Sequence, residues 1–121
     1  MKIRVYYEDT DCGGIVYFAN YLKFCERARS NLFFEKGMSP HQDNEFFVVK
    51  KIEAEYIKSA KFSDLLEVTT EIVSKKSASV ELLHKIFKDD DLFFSSNVKL
   101  VYLKDSKPSR IPNSILEVFD L

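Results

Sequence analysis

Tryptophan is absent from the 121 residues, and glycine, proline and histidine are scarce, at three, three and two. With so few chain breakers no stretch has the composition of a flexible linker, so one domain spanning residues 1–121 is expected. Cysteine is nearly absent too. Cys12 and Cys25 could pair only once, and nothing else points to an oxidising compartment, so two reduced thiols are expected. Charge of one sign is not in excess: 18 basic against 19 acidic side chains leave a net charge of −1. That balance gives no general attraction to phosphate backbones, and nucleic acid is not an expected partner. No segment approaches the roughly 18 consecutive apolar residues of a membrane span. Met1 leads into Lys2-Ile3-Arg4 rather than an apolar leader, so the expected location is the cytoplasm.

What is present suits a folded core, with 45% apolar and 31% charged residues. Residues 2–7 mix β-branched and aromatic side chains and predict an opening strand. Glu8 to Val16 predict a loop, since Asp9, Thr10, Asp11 and the Gly13-Gly14 pair tolerate tight turns. From Phe18 to Lys36 the apolar positions Phe18, Tyr21, Leu22, Cys25, Ala28, Leu32 and Phe33 recur at helical spacing, and Gly37 stands where a C-cap belongs. Phe24, Asn31 and Phe34 widen that stripe, which predicts a helix wrapped by a curved sheet.

Four strands are predicted beyond it. Phe46 to Ile57 alternates with Val48, Lys50, Ile52, Ala54 and Tyr56 on one face. Leu65 to Val73 groups Leu66, Val68, Thr70 and Ile72, and the next segment groups Val80, Leu82, His84 and Ile86. Asp89-Asp90-Asp91 predict a hydrated turn before a strand from Leu92 to Leu103. Short connections predict an antiparallel meander, and Pro112 suits the first turn of a helical tail. The fold class is therefore α+β: one long helix, a five-stranded antiparallel sheet and a short C-terminal helix.

The chemistry concentrates where the loop feeds the long helix. A helix start offers unpaired N–H groups and the positive end of its dipole to a developing oxyanion. Asp11 lies seven residues before Phe18. Its carboxylate could attack a carbonyl or take a proton from water, and the sequence leaves both routes open. The competing reading of Asp11 is a turn residue capping nearby N–H groups. Cys12 lacks a neighbouring base in the sequence, which argues against a thiol nucleophile. Glu26 is a reserve carboxylate, although with Arg29 it also reads as an exposed helical pair. His84 falls on an apolar strand face and reads as a satisfied core residue, and His41 as a surface loop residue. Asp9, Asp11 and Gly13 do not complete a calcium loop, because Asn20 occupies the place of the closing glutamate, and no metal is implied.

The run Tyr6-Tyr7-Glu8-Asp9-Thr10-Asp11-Cys12-Gly13-Gly14-Ile15-Val16-Tyr17-Phe18-Ala19-Asn20-Tyr21-Leu22, continuing to Glu26-Arg27-Ala28-Arg29, resembles the signature of the YbgC and 4-hydroxybenzoyl-CoA thioesterase family. The likeness extends more loosely through Phe47-Val48-Val49 and Tyr56 to Asp64. It implies a hot-dog fold, a site at a dimer interface, assembly to a homodimer and further to a homotetramer, and hydrolysis of acyl-CoA to free acid and CoA. It implies catalysis by the second aspartate, matched by Asp11, with Asp9 ordering the loop, and polarisation of the thioester carbonyl by the backbone N–H at Phe18. Many family members carry histidine where this chain has Phe18. Substrate and CoA contacts are implied for Gly14, Val16, Tyr17, Lys58, Ser59 and Lys61, with coenzyme A as part of the substrate and no separate cofactor. Lys75, Lys76 and Arg110 are weaker cationic candidates for its phosphates. The rival readings are a non-catalytic hot-dog protein that binds acyl-CoA or acyl carrier protein, and a dehydratase, against which Phe18 argues because that chemistry wants a placed acid or base.

Overall fold

A computed structural model describes residues 1–119 and turns these segments into one curved sheet with a helix lodged against it. The strands are β1 (Lys2–Arg4), β2 (His41–Gln42), β3 (Glu45–Tyr56), β4 (Leu65–Lys75), β5 (Ser79–Lys88), β6 (Asp91–Lys104) and β7 (Lys107–Pro108). The helices are α1 (Asn20–Glu35) and α2 (Asn113–Phe119). The last two residues of the expected domain lie outside the described range. The arrangement is the expected hot-dog, with two-residue β2 and β7 added to the five predicted strands.

The order across the sheet is β1-β4-β5-β6-β3-β2, all antiparallel, with β7 also on β6. The expected meander therefore holds for β4, β5 and β6 only. β3 pairs with β6 instead of β4, and the chain from Ile57 to Asp64 crosses between them. That crossing is pinned by Ile57 N–H to the Phe93 carbonyl (2.9 Å) and Val16 N–H to the Ala60 carbonyl (2.9 Å). β2 covers only Glu45 and Phe46, so among the described residues no strand pairs the outer edge of β3 from Phe47 to Tyr56.

Bulges give the sheet its curvature, because an extra residue bends a strand and increases its twist. The ladder slips between Val49 and Lys51 in β3, and between Ile72 and Ser74 in β4. The first slip overturns the simple alternation expected there. Before it, Phe47 and Val49 lie opposite the buried Tyr102 and Leu100; after it, Ile52, Ala54 and Tyr56 lie opposite the buried Val98, Ser96 and Phe94. Val48 and Lys50 thus leave the face predicted for them. In β5 the alternation holds without interruption, with Val80, Leu82, His84 and Ile86 all buried.

Helix α1 starts at Asn20, two residues later than expected, and Tyr6-Tyr7 leave the strand to enter a tight helical turn at Tyr7–Asp9. The inward face of α1 carries Tyr21, Phe24, Cys25, Ala28 and Phe33, whereas Phe34 is exposed, so one face is wrapped and not the whole circumference. The helix ends as predicted: Gly37 has φ +69°, and its N–H bonds the Phe34 carbonyl at 3.0 Å. Its first half packs in a cluster with Val5, Val16, Leu66, Ile86 and Phe94; its second half packs through Phe33 with Leu82, Tyr102 and α2. Among the described residues no helix is long and apolar enough to cross a membrane.

Candidate active site

The loop before α1 is fastened by its first aspartate. Asp9 is buried; its Oδ2 accepts the Tyr6 N–H at 2.9 Å, and its carbonyl accepts the Tyr17 N–H and Asn20 Nδ2, each at 2.9 Å. Asp11 is held differently. Its N–H reaches the Ile15 carbonyl, its carbonyl takes the Gly14 N–H, and its exposed side chain accepts the Gly13 N–H on Oδ1 at 2.8 Å. Gly13 leaves room for that carboxylate, since a Cβ there would sit 3.2 Å from Oδ1. Gly14, at φ +80°, makes the left-handed turn that returns the chain toward α1.

Asp11 and Phe18 line one open cavity of about 300 Å³, with Ile15, Val16, Tyr17, Tyr21, Tyr56, Ile57, Lys58 and Ser59. The Phe18 N–H finds no acceptor among the described residues, while the Phe18 carbonyl accepts the Tyr56 hydroxyl at 2.9 Å. The peptide ahead of α1 is thereby fixed with its donor free. Tyr21 OH accepts the Ala60 N–H at 3.0 Å, so the crossing segment is tied to the first turn of the helix. Burial pushes both the Tyr21 and Tyr56 hydroxyls up in pKa, which keeps them neutral donors or acceptors.

Of the residues proposed from sequence, Asp11, Val16, Tyr17, Phe18, Lys58 and Ser59 meet in this cavity. Gly14 and Lys61 do not line it. Lys61 joins it indirectly, through an antiparallel bridge to Ile15. Lys58 is drawn to Asp91 at 3.5 Å, an exposed pair. Tyr56 was missed as a functional position because its contact with Phe18 spans 38 residues; its place in the Tyr56-Ile57-Lys58 run was the available signal.

Glu26 and Arg29 lie elsewhere, beside a second cavity of about 230 Å³ with Phe33, Phe46 and Phe47. The exposed pair expected holds for Glu26 only: it is exposed and accepts the Ser30 hydroxyl at 2.7 Å, while half-buried Arg29 has its pKa lowered by desolvation, against the opposing pull of the Glu26 charge. Buried Cys25 has its thiol pushed up to about 11, chiefly by burial, and Cys12 is exposed. His84 is only half satisfied: Nδ1 meets Thr70 Oγ1 at 3.0 Å, while Nε2 is buried without a partner among the described residues.

A sheet curled around one helix, with an aspartate-bearing loop that leads into the helix start beside an open cavity, defines a hot-dog domain of the thioesterase type. The chain belongs to the thioesterase-like superfamily, whose model matches residues 5–119. It is 37% identical to the acyl-CoA thioester hydrolase YbgC of Escherichia coli O6:H1, over 97% of this chain and 92% of that protein. It is 44% identical to the acyl-CoA thioesterase YbgC of Helicobacter pylori over 87 residues, which make up 72% of this chain. The chain spans 65% of the length of that Helicobacter pylori relative. In structure it superposes on a hypothetical protein from Aquifex aeolicus with a TM-score of 0.92 at 27% identity, covering 98% of this chain and 97% of that one.

Proposed function

We propose that this protein is a cytoplasmic acyl-CoA thioesterase that hydrolyses acyl-CoA to a free carboxylic acid and CoA. The observation that carries the reading is that Asp11 and Phe18, whose N–H has no acceptor among the described residues, line one open cavity. The thioester carbonyl oxygen takes the Phe18 N–H, at the positive end of α1, so charge developing on that oxygen meets a fixed donor. Asp11 either adds to the carbonyl carbon, giving an anhydride that water then opens, or accepts a proton from the attacking water. In both routes the C–S bond breaks and the sulfur leaves as thiolate. Its thiol has a pKa of roughly 8.5, so it departs without a dedicated general acid and takes its proton from solvent. Phe18 in place of histidine therefore leaves the two essential groups in position.

Val16 and Tyr17 flank the reacting carbonyl, Gly14 shapes the turn beneath it, and Lys58, Ser59 and Lys61 lead outward toward the CoA moiety. Coenzyme A is part of the substrate, and no separate cofactor enters this scheme. The assembly belonging to this reading is a homodimer joined through the outer edge of β3 and paired again into a tetramer. An unpaired edge bearing Val48, Val49, Ile52 and Tyr56, all partly exposed, invites a symmetric partner.

A binding-only role draws on one observation, the bond from Gly13 N–H to Asp11 Oδ1, which makes Asp11 a turn residue. Asp11→Asn separates the two, because an amide oxygen can keep that bond while the negative charge is lost. Thiol release from a panel of short, long and aromatic acyl-CoAs should fall at least about a hundredfold in the folded variant. Turnover within a few-fold of the unmodified protein would leave Asp11 as a turn residue and favour binding without hydrolysis.

A further inference from the structure

We infer that the exposed Tyr7–Phe62 ring pair is a platform for the adenine of the CoA substrate, with Lys61 and Arg4 serving its phosphates; this rests on the thioesterase reading. The two rings lie parallel, 3.9 Å apart and 7° from coplanar. Tyr7 is 75% exposed and Phe62 41%, so the outer face of Tyr7 looks into water. A flat π surface held open in this way is what a nucleobase stacks upon, whatever its edge pattern.

The platform is built into the framework of the site. Val5 N–H bonds the Asp64 carbonyl and Ser63 N–H bonds the Val5 carbonyl, each at 2.9 Å, which locks the segment before Tyr7 beside the turn that carries Phe62. Ser63 adopts φ +74°, rare for a residue with a side chain, and Arg4 Nη1 donates to its carbonyl at 2.7 Å. The same turn reaches the cavity through the Lys61–Ile15 bridge and the bond from Val16 N–H to the Ala60 carbonyl. A ligand whose thioester sits at Asp11 and whose arm leaves past Ser59 thus arrives at this turn.

Charge selects the occupant. Lys61 directly precedes Phe62 and enters no ion pair among the described residues, while the neighbouring acid Asp64 is already engaged by Lys88 at 3.0 Å and by the Lys61 N–H at 2.9 Å. Cations beside an open ring suit a base that carries phosphates. A second copy docked ring to ring would instead bring Lys61 and Arg4 of both copies together, an unfavourable like-charge contact.

The test compares an acyl-CoA with the matching acyl-pantetheine on the unmodified protein, Tyr7→Leu and Tyr7→Phe. Tyr7→Leu should raise KM for the CoA ester about tenfold, within the range that loss of one base stack gives. Its kcat and its KM for the pantetheine ester should move less than about twofold, and Tyr7→Phe should restore the CoA preference. As competitive inhibitors, ADP should weaken with Tyr7→Leu and inorganic pyrophosphate should not. Equal changes on both esters, or none on either, would overturn the platform. So would a changed sedimentation coefficient with unaltered ADP inhibition, which would make the ring pair a contact between copies. If the unmodified protein cleaved neither ester, the thioesterase reading would fail by itself. The platform would then be judged by calorimetric titration with free CoA and pantetheine: a preference for CoA lost in Tyr7→Leu sustains it, and its absence overturns it.

Discussion

His84 makes the stability of the fold depend on pH in a calculable way. Its ring is fully buried, with one nitrogen on Thr70 and the other without a partner among the described residues. Burial, and then the nearby charge of Arg29, lower its pKa from 6.5 to about 4. A basic group whose folded pKa is depressed stays neutral in the native state while the unfolded chain takes up a proton. Stability is therefore full above the unfolded value of 6.5 and is lost as pH falls toward about 4, below which the loss levels off. Linkage with those two values gives a loss on the order of 1 kcal/mol by pH 5.5 and of about 2 to 3 kcal/mol by pH 4.5.

The reference is a His84→Leu/Thr70→Val double variant, which removes the titration without orphaning the Thr70 hydroxyl. With no tryptophan to report unfolding, urea denaturation is best followed by far-ultraviolet circular dichroism, at one fixed protein concentration so that any assembly contributes equally. The difference in unfolding free energy between the two proteins should shift by about 2 to 3 kcal/mol from pH 7.5 to pH 4.5. Parallel curves, agreeing within about 0.5 kcal/mol, would mean that His84 titrates as it does in the unfolded chain and that the burial argument is wrong.

Three further outcomes follow from the site and the sheet. Gly13→Ala should displace the Asp11 carboxylate by a few tenths of an ångström, given the 3.2 Å approach to Oδ1; about a tenfold fall in kcat at unchanged melting temperature is expected, and unchanged kcat would refute the fit. Tyr56→Phe removes the hydroxyl that holds the Phe18 carbonyl; it should cost about 1 kcal/mol of stability and lower kcat more than it alters KM, whereas a change in KM alone would assign Tyr56 to binding. Val49→Pro on the open edge strand should lower both sedimentation coefficient and thiol release, and a folded, fully active monomer would refute a site shared across the β3 edge.

How much could be read beforehand differs from element to element. β5 was legible because its inward residues alternate without a break, and the end of α1 because Gly37 supplies the left-handed cap. β3 was legible as a strand but not in its facing, since a bulge at Lys50 reverses the side-chain parity and leaves no mark in the alternation. Its neighbour was not legible at all. Short connections favour pairing in chain order, and only the crossing of Ile57 to Asp64 over the start of α1 puts β3 beside β6. Around the cavity, the clustering of Asp9, Asp11, Gly13 and Gly14 before a helical repeat announced a loop leading into a helix start. The free N–H of Phe18 and the grip of Tyr56 on its carbonyl depend on contacts between distant segments, which no local pattern encodes.

The pairing of β3 with β6 also sets a timetable for synthesis. On the ribosome β3 emerges long before the strand that will hold it, and until Asp91–Lys104 has been made its ladder has no partner beyond the two residues of β2. Such non-local closure is slow and leaves β3, with its Phe-Phe-Val-Val run, open to chance encounters while translation proceeds. The cavity inherits the delay, because Tyr56 at the end of β3 is opposite Phe94 of β6. A nascent chain halted after β5 would carry every residue of the Asp11 loop, and Tyr56 as well, yet lack β6, the strand with which Tyr56 pairs. Native cavity geometry is therefore a late event in the life of each new chain.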